Sequence, residues 1–463
     1  MTTRILPAML IASAVAAAQS APPAADRIDA VVRAEMERQK VPGVAIGIVR
    51  KGVVVKARGY GFANVEHRVP VTAETIFQSG SVGKQFTSAA VMLLVEDGRI
   101  ALDDPITKFF PESPATWRPI LVRHLLTHTS GIPDYTTSSF DYRRDYTEDE
   151  LVKMAFGLTL EFDAGARWNY SNTGYLLLGA IVRKASGKFY GDVLGERVFG
   201  PLGMNTARVI SEEDIVPHRA AGYRLVRGEL MNQEWVAPSL NTTADGALYL
   251  SLNDMLAWDR GLRAKSVLKP ASWERVFSPV RLNSGKPYPY GFGWAVAEEA
   301  GQPTQQHGGA WQGFQAFIAR YLRDDLTIIV LANLAGADTE RFVELIGATF
   351  NPLIARAELK PIDDKEPQVA ERLRRLLRSA ADGTLTPADF AYVRAGFFPD
   401  AANHYAQLLK PLGAPGAFVL LEREELGDDR IFLYEVAYGT KRFLVRLGLA
   451  PNEKVSTFSV RAR

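Results

Sequence analysis

The sequence contains no cysteine among its 463 residues. Disulfide bonds, a thiol nucleophile, thiolate metal ligands and a lipidated N-terminal cysteine are therefore excluded. Neither sign of charge is in excess, because 54 Lys and Arg stand against 52 Asp and Glu and leave a formal net charge of +2. A chain without a basic field is poorly suited to binding nucleic acid, so no nucleic-acid partner is expected.

Near the N-terminus, the hydrophobic run is too short to span a membrane. The stretch MTTRILPAMLIASAVAAAQS has one arginine and small residues at Ala16 and Ala18 around an apolar run. This pattern predicts a secretory signal peptide over residues 1–20, cut after Ala18 or Ser20. We therefore expect a periplasmic or secreted protein with no stable membrane span after signal removal. The alternative is a retained membrane anchor.

Several common catalytic signatures are also missing. No Gly-x-Ser-x-Gly elbow supports an α/β-hydrolase, and no glycine-rich loop is suited to cradling phosphates. His124 and His128 are spaced i, i+4, but HLLTH lacks the glutamate of a zinc-protease helix. We interpret both histidines as structural and expect neither a metal nor a cofactor.

What is present indicates a mixed α+β protein. Apolar spacing predicts a helix from Asp26, a hairpin turning at Lys51-Gly52, and a further helix over 77–98. A helical middle and a return to strand-like runs follow, which suggests a sheet whose strands come from both ends of this region. We predict one domain over 26–352, a polar linker over 353–367 and a small α+β domain over 368–463.

The predicted C-terminal domain, residues 368–463, has a helical start and a strand-rich end. An amphipathic helix begins it, and Thr386-Pro387 with Asp389 predicts the start of a second helix. The runs FVLLERE, RIFLYEVAYG, KRFLVRLGL and VSTFSVR then predict a four-stranded meander. The sequence does not indicate a binding partner for this domain.

The first stretch with catalytic potential is Ser81-Val82-Gly83-Lys84. Residues i and i+3 of a helix share a face, so the Lys84 amine can reach the Ser81 hydroxyl. A serine becomes nucleophilic only when its proton is removed, and lysine can remove it once desolvation or the helix dipole favours its neutral form. The alternative is that Ser81 caps the helix and Lys84 faces solvent. A second Ser-x-x-Lys, Ser266 to Lys269, runs into Pro270 and is interpreted as coincidence.

Two more motifs follow in an informative order, Tyr170-Ser171-Asn172 and His307-Gly308-Gly309. Together with Ser-x-x-Lys, and with flanking text such as LLTHTSGIPDY and PLGMNTA, they resemble the serine β-lactamase and penicillin-binding-protein superfamily. The likeness is to its class C β-lactamase, D-alanyl-D-alanine carboxypeptidase and family VIII esterase branch. It covers about residues 26 to 352, and it implies a β-lactamase-like fold, an antiparallel sheet flanked by helices with a helical subdomain.

The resemblance implies a role for each motif residue. Ser81 would be the acylated nucleophile, Lys84 its activating partner, and Tyr170 the general base and the acid to the leaving group. A positive Lys84 and His307 would favour the phenolate of Tyr170. Two further groups would bind substrate: Asn172 at the acyl-side amide, and the backbone N–H groups of Ser81 and Ala310 as the oxyanion hole beside Gly309. Trp311 and Phe314 follow directly in the sequence, and each is either part of an apolar wall for the acyl group or a core residue.

The third motif departs from the class C pattern, since His307 stands where those enzymes usually have lysine. A histidine is largely neutral at pH 7, so dedicated β-lactam hydrolysis becomes less favoured. The leading hypothesis is an exported serine hydrolase that cleaves esters or small D-amino-acid amides or peptides through an acyl-enzyme. The alternatives are a D,D-carboxypeptidase or weak β-lactamase, and a non-catalytic binding protein on the same fold.

Overall fold

The computed structural model describes residues 24–136, 140–209 and 214–463. The predicted signal peptide, residues 1–20, lies outside these ranges. The helices are α1 Ala24–Gln39, α2 Lys84–Glu96, α3 Val122–Leu126, α4 Glu148–Phe156, α5 Asn172–Ser186, α6 Tyr190–Leu194, α7 Gly200–Leu202, α8 Leu252–Ala264, α9 Pro270–Val276, α10 Thr339–Ala348, α11 Pro367–Asp382 and α12 Ala402–Leu409. None of these helices combines the length and the apolar character that crossing a membrane requires.

The strands fall into one large sheet, one C-terminal sheet and three small ones. They are β1 Gly43–Arg50, β2 Val53–Asn64, β3 Val69–Pro70, β4 Ile76–Gln78, β5 Arg208–Val209, β6 Tyr223–Val226, β7 Glu229–Asn232, β8 Leu248–Ser251, β9 Val280–Arg281, β10 Pro287–Tyr288, β11 Ala295–Glu299, β12 Gln302–Trp311, β13 Phe314–Tyr321, β14 Leu326–Ala332, β15 Phe418–Leu426, β16 Asp429–Tyr438, β17 Lys441–Leu449 and β18 Val455–Ala462.

The large sheet has the strand order β11-β12-β13-β14-β1-β2-β3, and neighbouring strands are antiparallel. The N-terminal hairpin therefore pairs with a strand formed almost three hundred residues later, with Val44 opposite Ala332. The expectation of a sheet built from both ends of this region is confirmed. At the hairpin turn, Lys51 and Gly52 both have positive φ, as a two-residue type I′ turn requires.

Helices cover both faces of this sheet. The core on one face joins α1 to α10, and the core on the other joins α2, α5 and α8. Every residue of β14 is buried, and so is every residue of β1 except Arg50. Because water reaches neither face, apolar residues occupy almost every position of these strands instead of alternating with polar ones, and the exceptions are Thr327 and Arg50.

The stretch predicted as one helix over 77–98 divides into three elements, so that prediction is wrong at its start. β4 comes first, a 3₁₀ turn follows over Gly80–Gly83, and α2 begins only at Lys84. Gly80 has a φ of +50°, outside the helical region. The 3₁₀ turn repeats every three residues, so side chains at i and i+3 are aligned along it.

The C-terminal residues form a four-stranded antiparallel sheet, β15-β16-β17-β18, with α11 packed on it. Its core is separate from those of the large sheet and includes Leu373, Leu377 and Tyr434. The helix predicted from Thr386-Pro387 is wrong: the Thr386–Asp389 capping bonds form, but they close only a 3₁₀ turn. The next residue, Phe390, bridges to Val455 of β18, and this pairing ends the turn. The predicted domain boundaries at 352 and 368 stay predictions.

Candidate active site

The backbone around Ser81 is held by glycines that admit no side chain. A Cβ on Gly80 would lie 2.3 Å from the backbone nitrogen of Ala310, and one on Gly309 would lie 2.1 Å from the carbonyl oxygen of Ser79. A Cβ on Gly246 would lie 2.9 Å from the carbonyl oxygen of Gly80. Because distances below 3.0 Å are not tolerated by real Cβ atoms, glycine alone lets the 3₁₀ turn press against β12. The backbones of Ser81 and Ala310 are thereby brought together at the cleft.

Lys84 is fully buried directly behind Ser81. Its Nζ donates to Ser81 Oγ at 3.0 Å, to Asn172 Oδ1 at 2.7 Å and to the backbone carbonyl of Asp245. Burial lowers the pKa of Lys84 to about 8, although the nearby charges of Asp245 and Asp134 act in the opposite direction. Lys84 therefore loses its proton far more readily than an exposed lysine does.

Asn172, the first residue of α5, is oriented by two partners. Its Nδ2 donates to Asp134 Oδ2 at 2.9 Å, and its Oδ1 accepts from Lys84. Ser171 caps the same helix by accepting from the backbone N–H of Gly174 at 3.3 Å. The cap fixes the start of α5, and with it the residue before, Tyr170.

Tyr170 lies over Lys84, with its ring centroid 4.8 Å from Nζ. Its hydroxyl oxygen is buried and makes no well-formed hydrogen bond to the part of the chain that the structure describes. Burial raises the pKa of Tyr170 well above its ordinary value, and the Ser81 hydroxyl only partly offsets this. The expected phenolate is therefore wrong for the free protein, in which Tyr170 is a neutral phenol.

His307 is held at the end of a hydrogen-bond chain whose directions follow from its first member. The backbone N–H of Ser171 donates to His128 Nδ1 at 3.1 Å, so neutral His128 carries its proton on Nε2 and donates to the Tyr290 hydroxyl at 3.2 Å. Tyr290 then donates to His307 Nε2 at 2.9 Å, and His307 Nδ1 donates to the Gly308 carbonyl at 2.6 Å.

Both ring nitrogens of His307 are thus engaged within the protein. Burial, reinforced by the charge of Lys84, lowers the pKa of His307 to about 4. The expectation that a positive His307 stabilises a Tyr170 phenolate is wrong, because a buried imidazole with this pKa is neutral at pH 7.

Two cavities meet at Ser81. The Tyr135 chamber encloses about 170 Å³, and its lining includes Ser81, Tyr135, Tyr142, Asn172, Leu240, Asp245, Ala310 and Trp311. The His307 chamber is a more open groove of about 530 Å³, and its lining includes Ser81, Tyr170, His307, Gly309, Gln315, Phe317, Asp338 and Glu340. A substrate whose carbonyl group lies at Ser81 would therefore extend into both chambers.

Of the two aromatic residues expected to form an apolar wall, only one lines the cleft. Trp311 borders the Tyr135 chamber, and its Nε1 donates to Asn241 Oδ1 at 2.7 Å. Phe314 is buried and packs edge-on against Phe77, with ring centroids 6.2 Å apart, as a core residue.

Comparison with known proteins agrees with this arrangement. Residues 28–347 match the family model described as Beta-lactamase. The chain belongs to the beta-lactamase family. The matched region includes Ser81, Lys84, Tyr170 and His307, and it ends before the C-terminal sheet.

Individual relatives extend the comparison. Penicillin-binding protein 4* of Bacillus subtilis is 32% identical over 300 residues, which are 61% of this chain and 66% of that protein. A D-aminopeptidase of Gluconobacter oxydans is 28% identical over 330 residues, 70% of this chain and 61% of that protein. The chain thus spans less than two thirds of the length of either relative.

One solved structure matches nearly the whole chain. The octameric penicillin-binding protein homologue from Pyrococcus abyssi superposes with a TM-score of 0.62 at 24% identity, covering 95% of this chain and 96% of that one. At this identity the match shows the fold alone, and the fold includes the C-terminal sheet of this beta-lactamase-family chain.

The sequence motifs give no role in the site to four residues that the structure places there: Asp134, His128, Asp245 and Tyr290. Asp134 follows Ile132-Pro133 in the flanking text and orients Asn172. His128 is buried, as expected of a structural histidine, and it also begins the hydrogen-bond chain that ends at His307. Asp245 and Tyr290 carry no motif. Across the described ranges, no group of three or more His, Asp and Glu side chains could hold a metal.

Proposed function

We propose that this chain is a serine hydrolase that forms an acyl-enzyme on Ser81 and cleaves esters or small D-amino-acid amides and peptides. The observation that carries the proposal is the 3.0 Å contact between Ser81 Oγ and a buried lysine whose pKa is lowered to about 8. A lysine that is neutral at accessible pH can accept the proton that makes serine nucleophilic.

The first step transfers a proton as a bond forms. Neutral Lys84 accepts the Ser81 proton while Oγ bonds to the substrate carbonyl carbon, and negative charge develops on the carbonyl oxygen. The backbone N–H groups of Ser81 and Ala310 would receive that oxygen, because the three glycines hold both strands of backbone at the cleft. Such preorganised donors lower the barrier because they need no rearrangement.

The second step releases the leaving group. Tyr170 lines the His307 chamber and is a protonated phenol, so it can donate its proton to the leaving oxygen or nitrogen as the carbonyl–leaving-group bond breaks. Protonated Lys84 then returns the proton to Tyr170. Water hydrolyses the acyl-enzyme by the same route: it loses a proton to the Lys84–Tyr170 pair and displaces Ser81 Oγ, which regains its own.

The substrate class draws on the chambers and on the relatives. The name of one relative describes a D-aminopeptidase, which acts on peptides. Among the described residues that line the His307 chamber there is no Lys or Arg, whereas Asp338 and Glu340 are acidic. Esters, amides and peptides without a carboxylate at this end are therefore favoured.

A second candidate is a D,D-carboxypeptidase or weak β-lactamase, which the likeness to penicillin-binding protein 4* favours. The neutral His307 and the acidic chamber make it the weaker of the two. We also propose that the protein is exported and is periplasmic or secreted, because residues 1–20 have the pattern of a secretory signal peptide.

The test is hydrolysis of p-nitrophenyl butyrate and of D-alanine p-nitroanilide by the purified protein. We expect Ser81→Ala to abolish turnover of whichever substrate the wild type cleaves, because no other group supplies the nucleophile. Ser266→Ala, in the chain's other Ser-x-x-Lys, is the matched control and should retain full activity. Equal rates for Ser81→Ala and wild type would refute the proposal.

A further inference from the structure

The segment that leads into Tyr170, residues 161–169, is called the Tyr170 loop below. It contains no helix or strand and lies between α4 and α5. A segment without its own backbone ladder takes its course from what packs against it. On one side of the Tyr170 loop lie the C-terminal residues.

Glu161 connects the two ends of the loop to the C-terminal domain. Its Oε1 accepts from the backbone N–H of Ala395 at 2.7 Å, and its Oε2 accepts from Asn169 Nδ2 at 2.5 Å. One carboxylate therefore links a C-terminal backbone amide to the residue immediately before Tyr170.

An ion pair makes the second connection. Arg167 Nη1 lies 3.0 Å from Oδ1 and 3.3 Å from Oδ2 of Asp429, the first residue of β16. The two side chains are only 20% and 18% exposed, so the pair is better shielded than an ordinary surface pair. Arg167 also lies over the ring of Tyr392, whose edge meets Phe162 with centroids 5.5 Å apart.

The loop transmits these contacts to the site through its last two residues. Trp168 stacks on Tyr288 with centroids 4.5 Å apart and meets the ring of His128 edge-on. Asn169 donates its backbone N–H to the carbonyl oxygen of His128 at 2.9 Å. His128 is also the residue that accepts from Ser171, so the two neighbours of Tyr170 in the chain are fixed to the same histidine.

We propose that the C-terminal domain positions Tyr170, with Glu161, Arg167 and Asp429 as positioning residues. The inference rests on the proposed role of Tyr170 as proton donor to the leaving group. The competing explanation is that these contacts only hold two domains together. The two explanations predict different results. Only a positioning role predicts that a substitution slows a substrate more when its leaving group needs a proton more.

The experiment compares two esters of the same acid, p-nitrophenyl butyrate and phenyl butyrate. p-Nitrophenolate departs with little help, whereas the more basic phenolate needs proton donation. We expect Arg167→Asp and Asp429→Arg each to lower kcat/KM for the phenyl ester about tenfold more than for the p-nitrophenyl ester, a fraction of what a general acid supplies. The double exchange, Arg167→Asp with Asp429→Arg, should recover most of the difference.

Three further variants separate positioning from stability. Arg167→Lys keeps the charge and should rescue most of the leaving-group dependence. Arg197→Asp breaks an exposed pair with Asp97 away from the loop and should leave the ratio of the two esters unchanged. In a Tyr170→Phe background, Arg167→Asp should no longer alter the ratio, because coupled residues act through one group.

The outcomes are distinguishable. If Arg167→Asp and Asp429→Arg slow both esters equally while remaining folded by circular dichroism, the positioning role is wrong and the contacts are structural. If the single variants do not fold, Arg167→Lys and the double exchange decide through the same ratio. If the wild type cleaves amides but not esters, D-alanine p-nitroanilide and D-alaninamide supply the same comparison of a good and a poor leaving group. If it cleaves none of these four substrates, the proposed function fails, and with it the premise of this inference.

Discussion

At the scale of single residues, the site shifts the pKa values of two neighbouring side chains, Lys84 and Tyr170, in opposite directions. Burial lowers the pKa of Lys84 to about 8 and raises that of Tyr170 well above its ordinary value. The same burial acts in opposite directions because the charged form is the protonated one for lysine and the deprotonated one for tyrosine. In the proposed mechanism, Lys84 is therefore the base and Tyr170 the acid.

This assignment predicts the pH dependence of activity. Below its pKa, Lys84 carries a proton and cannot accept another, so kcat/KM for a neutral ester should rise with pH through a midpoint near 8. His307, with a pKa of about 4, stays neutral and should add no inflection between about pH 5 and pH 7. Initial rates measured from about pH 5 to about pH 10 span both the flat region and the midpoint, and they check the profile.

Lys84→Arg is the matched variant for this profile. Arginine keeps its charge at every accessible pH, so it should be inactive throughout. A wild-type profile that falls as pH rises, or an active Lys84→Arg, would remove Lys84 from the role of base.

Residue identities in the motifs could be predicted from the sequence, but their protonation could not. Ser81, Lys84, Tyr170, Asn172 and His307 do meet at one cleft. The protonation state of each depends on groups outside its own motif, such as Tyr290, which hydrogen-bonds to Nε2 of His307. No spacing rule reveals such a partner.

At the scale of elements, the 3₁₀ turn at Ser81 is the feature that the local sequence pattern predicts incorrectly. Val82 lies at helical spacing from the apolar residues Phe86 and Ala89 of α2, so the pattern extends the predicted helix back over the turn. The turn exists because Gly80 packs against β12, a strand over two hundred residues away. The failed helix at Thr386 has the same origin, since a bridge to β18 overrides a good helix cap.

Substitution of Gly80 tests the turn. Gly80→Ala would place a Cβ 2.3 Å from the Ala310 nitrogen at a φ of +50°, so the turn and β12 must separate. We expect kcat for p-nitrophenyl butyrate to fall about 10²–10³-fold, as when an oxyanion donor is lost.

Gly98, just beyond α2, provides the control. Its φ is +72°, and, apart from its two chain neighbours, none of the described residues would come within 4 Å of a Cβ added there. Gly98→Ala should lower the free energy of unfolding by about 1–2 kcal/mol through backbone strain alone and leave kcat unchanged. Similar activities for the two variants would show that Gly80 does not shape the site.

At the scale of the whole molecule, the C-terminal sheet has a core of its own and yet contacts the loop beside Tyr170. Leu373 of α11 is completely buried in that core. Leu373→Ala should destabilise the C-terminal domain by about 2–5 kcal/mol, the usual cost of such a cavity. Calorimetry should show one part of the unfolding transition, that of the C-terminal sheet, moving to lower temperature.

Leu331, equally buried in β14, is the matched control. Leu331→Ala should instead lower the transition of the large sheet. If both variants shift one single transition alike, the two cores unfold as a unit.

The pairing of Val44 with Ala332 has a consequence for biosynthesis. A growing polypeptide would expose β1 long before its partner β14 leaves the ribosome, because elongation over that span takes on the order of tens of seconds. During this interval the first hairpin has an unpaired apolar edge, which is prone to joining other chains. Because of this topology, the large sheet can be completed only after β14 has been synthesised. The yield of folded protein therefore depends on protection of the nascent hairpin.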